Sequence, residues 1–198
     1  MKILYATTNP AKLELMKNFV QGLDIELLCL RDMQGEIPSV TEDGNTPLEN
    51  ARKKAEAYYK AFKMPVFSCD SGLYFENLPE YSPLVHVRNV NGKSLSDDEM
   101  IEYYSGLAEK YGDIIARYKN AICFILDENK MFCDDAEDLW GSKFIITNKA
   151  HSKRVKGFPL DSLSKCVDNG KYFYDCEEML TDSIEFGIKR FFKESIKK

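Results

Sequence analysis

The chain has 198 residues, enough to bury most of its apolar surface without metals or disulfides as staples, and suits one domain or two lobes sharing one core. Hydrophobic residues make up 44% and aromatics 12%, an ordinary globular balance. A net charge of −5 excludes a broad face for nucleic-acid polymers, because phosphate-backbone binding needs clustered Lys and Arg; a pocket for a small phosphate compound needs only a few cations.

Lys2–Thr7 reads as a buried first strand. Asn9 then offers an N-cap, with Pro10 at the first helical position, where a missing N–H costs nothing. Leu13, Met16, Phe19 and Val20 follow at helical spacing. Ile25–Leu30 is a second strand and Arg31–Asn45 a polar loop. Thr46-Pro47-Leu48-Glu49 has the form of a capping box, opening a helix with Leu48, Ala51, Ala55, Tyr58 and Phe62 on one face. Pro65–Cys69 is a third strand, with Asp70-Ser71-Gly72 as its exit turn.

Ser96 with Glu99 starts another helix, with Met100, Tyr104 and Leu107 inward. Ile114–Leu126 is a long strand, Asp127–Lys130 a hairpin turn to Met131–Cys133, and Lys143–Thr147 a further strand. Ile184, Ile188, Phe191 and Phe192 mark a C-terminal helix. Early strand–helix alternation and a later hairpin predict an α/β fold with a mixed, twisted sheet and flanking helices. Six cysteines form no CxxC or zinc spacing and are expected as reduced thiols in a cytoplasmic protein. The first residues carry no signal-peptide pattern, and no apolar run reaches the roughly 18–20 residues of a membrane span.

Three segments carry residue types suited to phosphate chemistry. The first is Thr7-Thr8-Asn9-Pro10-Ala11-Lys12, where a helix N-terminus, two hydroxyls, an amide and an ammonium offer donors. The plain alternative is a cap and a solvated lysine. The second is Glu42 to Lys54, where Glu49 is accounted for by capping alone. The third is Ser68-Cys69-Asp70-Ser71-Gly72: a carboxylate at a strand's C-terminal end stands where α/β sheets place ligands, although an Asx-type turn also explains it. Two carboxylates for a hard cation, with cations and hydroxyls for phosphates, make a Mg²⁺–triphosphate cradle if the segments converge.

Order and spacing of these segments resemble the inosine triphosphate pyrophosphatase (Ham1-like) family. Its opening pattern T/S-x-N-x-x-K is met by Thr7, Asn9 and Lys12. Its central pattern E-x-G-x-T-x-x-E-N-A-x-x-K-A is met by Glu42, Gly44, Thr46, Glu49, Asn50, Ala51, Lys54 and Ala55. A proline, a strand and CDSGL follow, ending at Leu73. The resemblance implies a single domain over residues 1–198, with two lobes around a central cleft and commonly a homodimer. It implies hydrolysis of a nucleoside triphosphate to the monophosphate and pyrophosphate with Mg²⁺. Glu42 and Asp70 would hold the metal, and Asp70 would be the general base. Lys12, Lys54, Thr7, Thr8, Asn9 and Ser71 would grip the triphosphate. Phe158 and Asp161, in Gly157-Phe158-Pro159-Leu160-Asp161, would meet the base. Arg88 corresponds imperfectly to a family arginine.

Three departures stand out. Cys69 replaces the first aspartate of D-D-S-G, and sulfur is a poor ligand for magnesium. The base-pocket motif G-F-G-Y-D-P keeps only Gly157, Phe158 and Asp161. The S-H-R motif that reads the 6-oxo group is absent; Asp182-Ser183-Ile184 stands near its place, and His151-Ser152-Lys153-Arg154 is either a substitute cluster or, the plainer reading, a solvated basic loop. The leading expectation is an active pyrophosphatase of unassigned base preference, and the alternative a catalytically impaired nucleotide-binding protein of the same fold. An interaction domain suggested by the acidic run Cys133–Asp138 is set aside as a solvated loop.

Overall fold

A computed structural model describes residues 1–176 and 182–197, side chains excepted at 182 and 183. In chain order the regular elements are β1 (Lys2–Tyr5), α1 (Pro10–Phe19), β2 (Glu26–Cys29), α2 (Pro47–Phe62) and β3 (Val66–Phe75). They continue with β4 (Asn89–Val90), β5 (Lys93–Ser94), α3 (Asp97–Tyr111), β6 (Ile114–Asp127) and β7 (Lys130–Asp134). The last are β8 (Phe144–Ile146), β9 (Ser164–Cys166) and α4 (Asp182–Ile196). The chain divides into two compact units, one of Met1–Ser71, Lys119–Trp140 and Asp182–Lys198, the other of Gly72–Tyr118 and Gly141–Thr181.

In the first unit β1 pairs in parallel with β2 and β3, while β6 pairs antiparallel with β7, so the sheet is mixed as expected. Period-2 alternation sends side chains to two faces. Ile3, Tyr5, Phe67, Ile122 and Phe124 meet Met16 and Phe19 of α1 and Ile188, Phe191 and Phe192 of α4. Their strand neighbours Leu4, Val66, Cys123 and Ile125 meet Ala51, Ala55 and Tyr58 of α2. Cys69 packs with the α1–α4 face, so Ser68 and Asp70, one residue to either side, are turned toward α2.

Helix starts follow the predicted chemistry, with one difference. The Asn9 carboxamide oxygen accepts from Ala11 N–H at 2.9 Å and Lys12 N–H at 3.5 Å, with Pro10 at the first position. Thr46 Oγ accepts from Glu49 N–H at 3.2 Å. The Glu49 carboxylate, however, takes the Asn45 N–H at 2.7 Å rather than closing back on Thr46, so the box is half formed. Ser96 and Glu99 close a full box on α3.

In the second unit α3 lays Met100, Tyr104 and Ala108 against Leu73, Phe75, Ile114, Ala116, Phe144 and Ile146, with Leu107 at the margin of this core. The start of β6 pairs antiparallel with β8, and β8 with the unanticipated β9. The expected exit turn at Asp70-Ser71-Gly72 is corrected: β3 runs on without a break to Phe75. Leu73 exchanges both backbone hydrogen bonds with Leu84, at 2.9 and 3.0 Å. A Cβ on Gly72 would lie 3.2 Å from the Leu84 carbonyl oxygen and 2.9 Å from the Tyr74 ring, so glycine here serves close approach rather than a turn.

The expectation of six reduced thiols is also corrected. Cys123 and Cys133 stand opposite each other in the β6–β7 ladder and are joined as a disulfide, while Cys29, Cys69, Cys166 and Cys176 are free. Among the described residues no helix is long and apolar enough to cross a membrane.

Candidate functional site

Helix α2 and strand β3 position the central residues. The buried stripe Pro47, Asn50, Ala51, Ala55 and Tyr58 fixes which side of α2 faces the sheet, and Lys54 lies along it. The Lys54 ammonium donates to Asp70 Oδ1 at 2.9 Å and to Glu42 Oε2 at 3.0 Å. Side-chain exposures of 12% for Lys54 and 13% for Asp70, against 49% for Glu42, make this a largely dry pair with one wetter carboxylate. Two acidic groups 28 positions apart in the chain are thus brought onto one ammonium, with one more negative charge than positive when all three are ionised.

The electrostatics follow from that placement. Burial raises the Asp70 pKa, and Lys54 pulls against it without cancelling it. Burial pulls Lys54 down, but the Asp70 and Glu42 charges outweigh it and leave the ammonium more firmly protonated. Lys54 therefore acts as a fixed cation.

Asn50, matched in the central motif without a role, joins the site in the structure. Only 2% exposed, it donates from Nδ2 to Asp70 Oδ2 at 3.2 Å and accepts the Gly44 N–H at 2.7 Å. One carboxamide thus orients Asp70 and anchors the Glu42 loop. The available signal was a polar side chain within the apolar stripe of a helix, which needs partners when buried. Gly44 is fitted to it: an added Cβ would sit 2.5 Å from Asn50 Oδ1.

The first segment has no hydrogen bond to the trio among the described residues. Thr7 Oγ accepts the Asn9 N–H at 3.1 Å, Asn9 caps α1, and Thr8 and Lys12 are exposed. Lys12 does exert a field on Cys69, which places it along β3. Burial pushes the Cys69 thiol up to about 12, so it carries no charge. Cys69 turns away from Asp70 and does not supplement the carboxylates. Ser71 is half-buried at the end of this unit's stretch of β3.

Phe158 and Asp161 belong to the second unit. Phe158 caps a short 3-10 turn, Pro159–Ser162, that carries Asp161. Asp161 has no side-chain partner among the described residues, and burial lifts its pKa to about 6. Arg88 is occupied structurally, donating to the Leu95 carbonyl at 2.8 Å and to Asp97 at 2.7 Å. His151 accepts the Lys153 N–H and pairs with Asp175 at 3.4 Å, while Ser152, Lys153 and Arg154 are exposed, in keeping with a solvated basic loop. The Asp182 and Ser183 side chains lie outside the described residues; Ile184 packs on the first unit's core.

With this geometry in place, the sequence model of the Ham1 family matches residues 3–138. The chain belongs to the Ham1 family. A relative of Malacoplasma penetrans, a dITP/XTP pyrophosphatase, is 30% identical over 158 residues, covering 75% of this chain and 74% of the relative. Relatives of the same description match over shorter stretches: that of Anaeromyxobacter sp. is 38% identical with 34% of its length covered, and that of Oceanobacillus iheyensis 36% identical with 51% covered. This chain's match thus spans about a third to a half of those two proteins. The Ham1 protein of Staphylococcus aureus shares its fold with a TM-score of 0.75 at 20% identity, over 98% of this chain and 99% of that one. For the HAM1 protein of Coxiella burnetii the TM-score is 0.77 at 20% identity, with the same coverage. The Ham1 match takes in the Glu42–Asn50–Lys54–Asp70 cluster and ends before Phe158 and Asp161.

Proposed function

We propose that this Ham1-family chain is a nucleoside-triphosphate pyrophosphatase, cleaving its substrate to the monophosphate and pyrophosphate. The single observation that carries the reading is the Lys54 ammonium held by both Glu42 and Asp70, with Asn50 fixing the second oxygen of Asp70. The dITP/XTP pyrophosphatases among its relatives support deaminated purine nucleotides as the first substrates to test.

Two hard carboxylates fit magnesium, which commonly takes one or two protein carboxylates and completes its shell with waters and phosphate oxygens. Glu42 and Asp70 would hold it, and the ion would supply neutralising charge to the triphosphate. Asp70 accepts the proton of the water that attacks the α-phosphorus. Its burial makes it a better base than a solvated aspartate. Lys54, fixed and positive, stabilises the charge that develops on the leaving pyrophosphate. Lys12, with Thr7, Thr8, Asn9 and Ser71, binds phosphate oxygens. Phe158 and Asp161 contact the base. A cytoplasmic homodimer completes the proposal by family resemblance.

The second reading, a binding protein without turnover, draws on Cys69, a neutral thiol turned to the α1–α4 face. Pyrophosphate release from a panel of canonical and deaminated nucleoside triphosphates with Mg²⁺ separates the two. Binding without release on every member selects the second. With an active substrate in hand, Asp70→Asn is expected to lower turnover by about 100-fold or more. Unchanged turnover removes Asp70 from the chemistry.

A further inference from the structure

The second unit contains sulfur chemistry that nucleotide hydrolysis does not use. Strand β9 ends at Cys166, and the chain comes back past a short 3-10 turn, Phe173–Asp175, to Cys176. Backbone hydrogen bonds close this excursion: Cys166 N–H donates to the Lys171 carbonyl at 2.8 Å, Gly170 N–H to the Cys166 carbonyl at 2.9 Å, and Lys165 bridges to Tyr172. At its base the Cys166 and Cys176 sulfurs lie 2.7 Å apart. The Cys176 thiol also reaches the Tyr172 carbonyl oxygen at 3.4 Å. Bringing two cysteines together is the step that normally demands backbone movement, and here the backbone has already made it.

The pair is asymmetric. Cys166 is 4% exposed, whereas Cys176 is only half-buried. Burial first, and the hydrogen shared with Cys176 second, raise the Cys166 pKa. The disulfide-bonded pair of the first unit shows the same division, with Cys123 fully buried and Cys133 exposed at the same separation of 10 residues. Access therefore falls on Cys176, with a shielded second sulfur behind it.

We propose that Cys166 and Cys176 form a redox-modification site that takes a hydroperoxide and closes reversibly to a disulfide. With hydrogen peroxide the Cys176 sulfur attacks one peroxide oxygen; the S–O bond forms, the O–O bond breaks, and one water leaves. The peroxide is reduced by two electrons and the sulfur oxidised to a sulfenic acid. The Cys166 sulfur then attacks Cys176; the S–S bond forms, the S–O bond breaks, and hydroxide departs with the Cys166 proton as a second water. A dithiol reductant reverses the bond by exchange.

The experiment needs no nucleotide, so it stands or falls independently of the proposed hydrolase activity. The full chain is reduced, desalted, exposed to hydrogen peroxide, alkylated under denaturing conditions and digested with trypsin. Cleavage after Lys165, Lys171 and Lys189 separates the two cysteines into peptides 166–171 and 172–189. The expected result is a cross-linked pair of these peptides that disappears on treatment with a dithiol. In Cys166→Ser the reaction should stop at Cys176 and yield a dimedone adduct there; in Cys176→Ser peptide 166–171 should stay alkylated. Cys29 and Cys69, which have no thiol partner among the described residues, should remain alkylated throughout. Separate alkylation of both peptides after peroxide overturns the proposal, as does cross-linking of Cys176 chiefly to any cysteine other than Cys166.

Discussion

Asp161→Asn tests how the second unit handles an unpartnered carboxylate. Burial pushes the wild-type carboxyl from its ordinary 3.8 up to about 6. Each pK unit is worth about 1.4 kcal/mol, so a shift of roughly two units is a penalty of about 3 kcal/mol, trimmed toward ~2 where water reaches the half-buried side chain. The sign is fixed by linkage. Below the unfolded-state value the carboxyl is protonated in both states and costs nothing. Between that value and about 6 the unfolded chain releases its proton first, and the folded state loses ground. Above about 6 the full penalty persists. Asparagine cannot ionise, so the variant should match wild type at pH ~3 and exceed it by about 2–3 kcal/mol at pH ~8. Urea unfolding of both proteins across that range gives the difference curve directly. A flat difference, or a variant advantage that grows toward low pH, refutes the assignment of an isolated, desolvated carboxyl. A gain in stability coupled to weaker nucleotide binding would further identify Asp161 as a group kept for function.

Removing the shared cation should be costly. Lys54→Met leaves Asp70 and Glu42 facing each other, and a loss of about 3 kcal/mol in chemical denaturation is expected, together with lost turnover; a change below ~0.5 kcal/mol, the scale of an ordinary surface substitution, contradicts the buried ion pair. Gly44→Ala places a methyl 2.5 Å from Asn50 Oδ1 and should cost about 1–3 kcal/mol while weakening apparent Mg²⁺ activation, since the Glu42 loop must shift. Full activity with wild-type metal dependence would show that the loop's seat is dispensable. Ser68→Ala removes a fully buried hydroxyl that has no hydrogen-bond partner among the described residues, so unfolding should be unchanged or up to ~1 kcal/mol harder, with kcat intact; a marked drop in kcat would give Ser68 a role not proposed for it.

The parts of the fold governed by local chemistry were legible. Asn9-Pro10, Thr46-Pro47 and Ser96 with Glu99 each opened a helix where capping rules place one. Reading failed where a distant segment decided the outcome. Asp70-Ser71-Gly72 has turn composition, yet its extension as strand depends on Leu84, whose backbone pairs with Leu73. Strand β9 is three residues long and exists because β8 is beside it. The β4–β5 hairpin did have a local signal, Asn91-Gly92, both with positive φ, and it went unread. In the site, Glu42, Lys54 and Asp70 were named from motif order, and their meeting required α2 to lie across β3. The role of Asn50 escaped because an asparagine one turn inside a helix also has an ordinary exposed reading. The cysteine pairs escaped because ten-residue spacings have no pairing signature until strand register is known.

The loop before α2 shows why so much of the site survives without regular structure. Four consecutive residues are tied in descending order along the helix: Glu42 to Lys54, Asp43 to Lys53, Gly44 to Asn50 and Asn45 to Glu49. These ties are unequal. Asp43–Lys53 is exposed on both sides, so solvent screening leaves it little weight. The Gly44–Asn50 bond is buried, and breaking it strands a backbone N–H and a carboxamide at about 1–3 kcal/mol. The loop is therefore held at its inner edge, with Glu42 placed by that anchor more than by its own half-exposed ion pair. Asn50 and Lys54 are four residues apart, so they share one helix face. One residue inserted between them would turn Lys54 by roughly 100° and carry the ammonium off Asp70 while leaving Asn50 in place. The register of one helical turn, rather than any single side chain, is what brings Glu42 and Asp70 to a common charge.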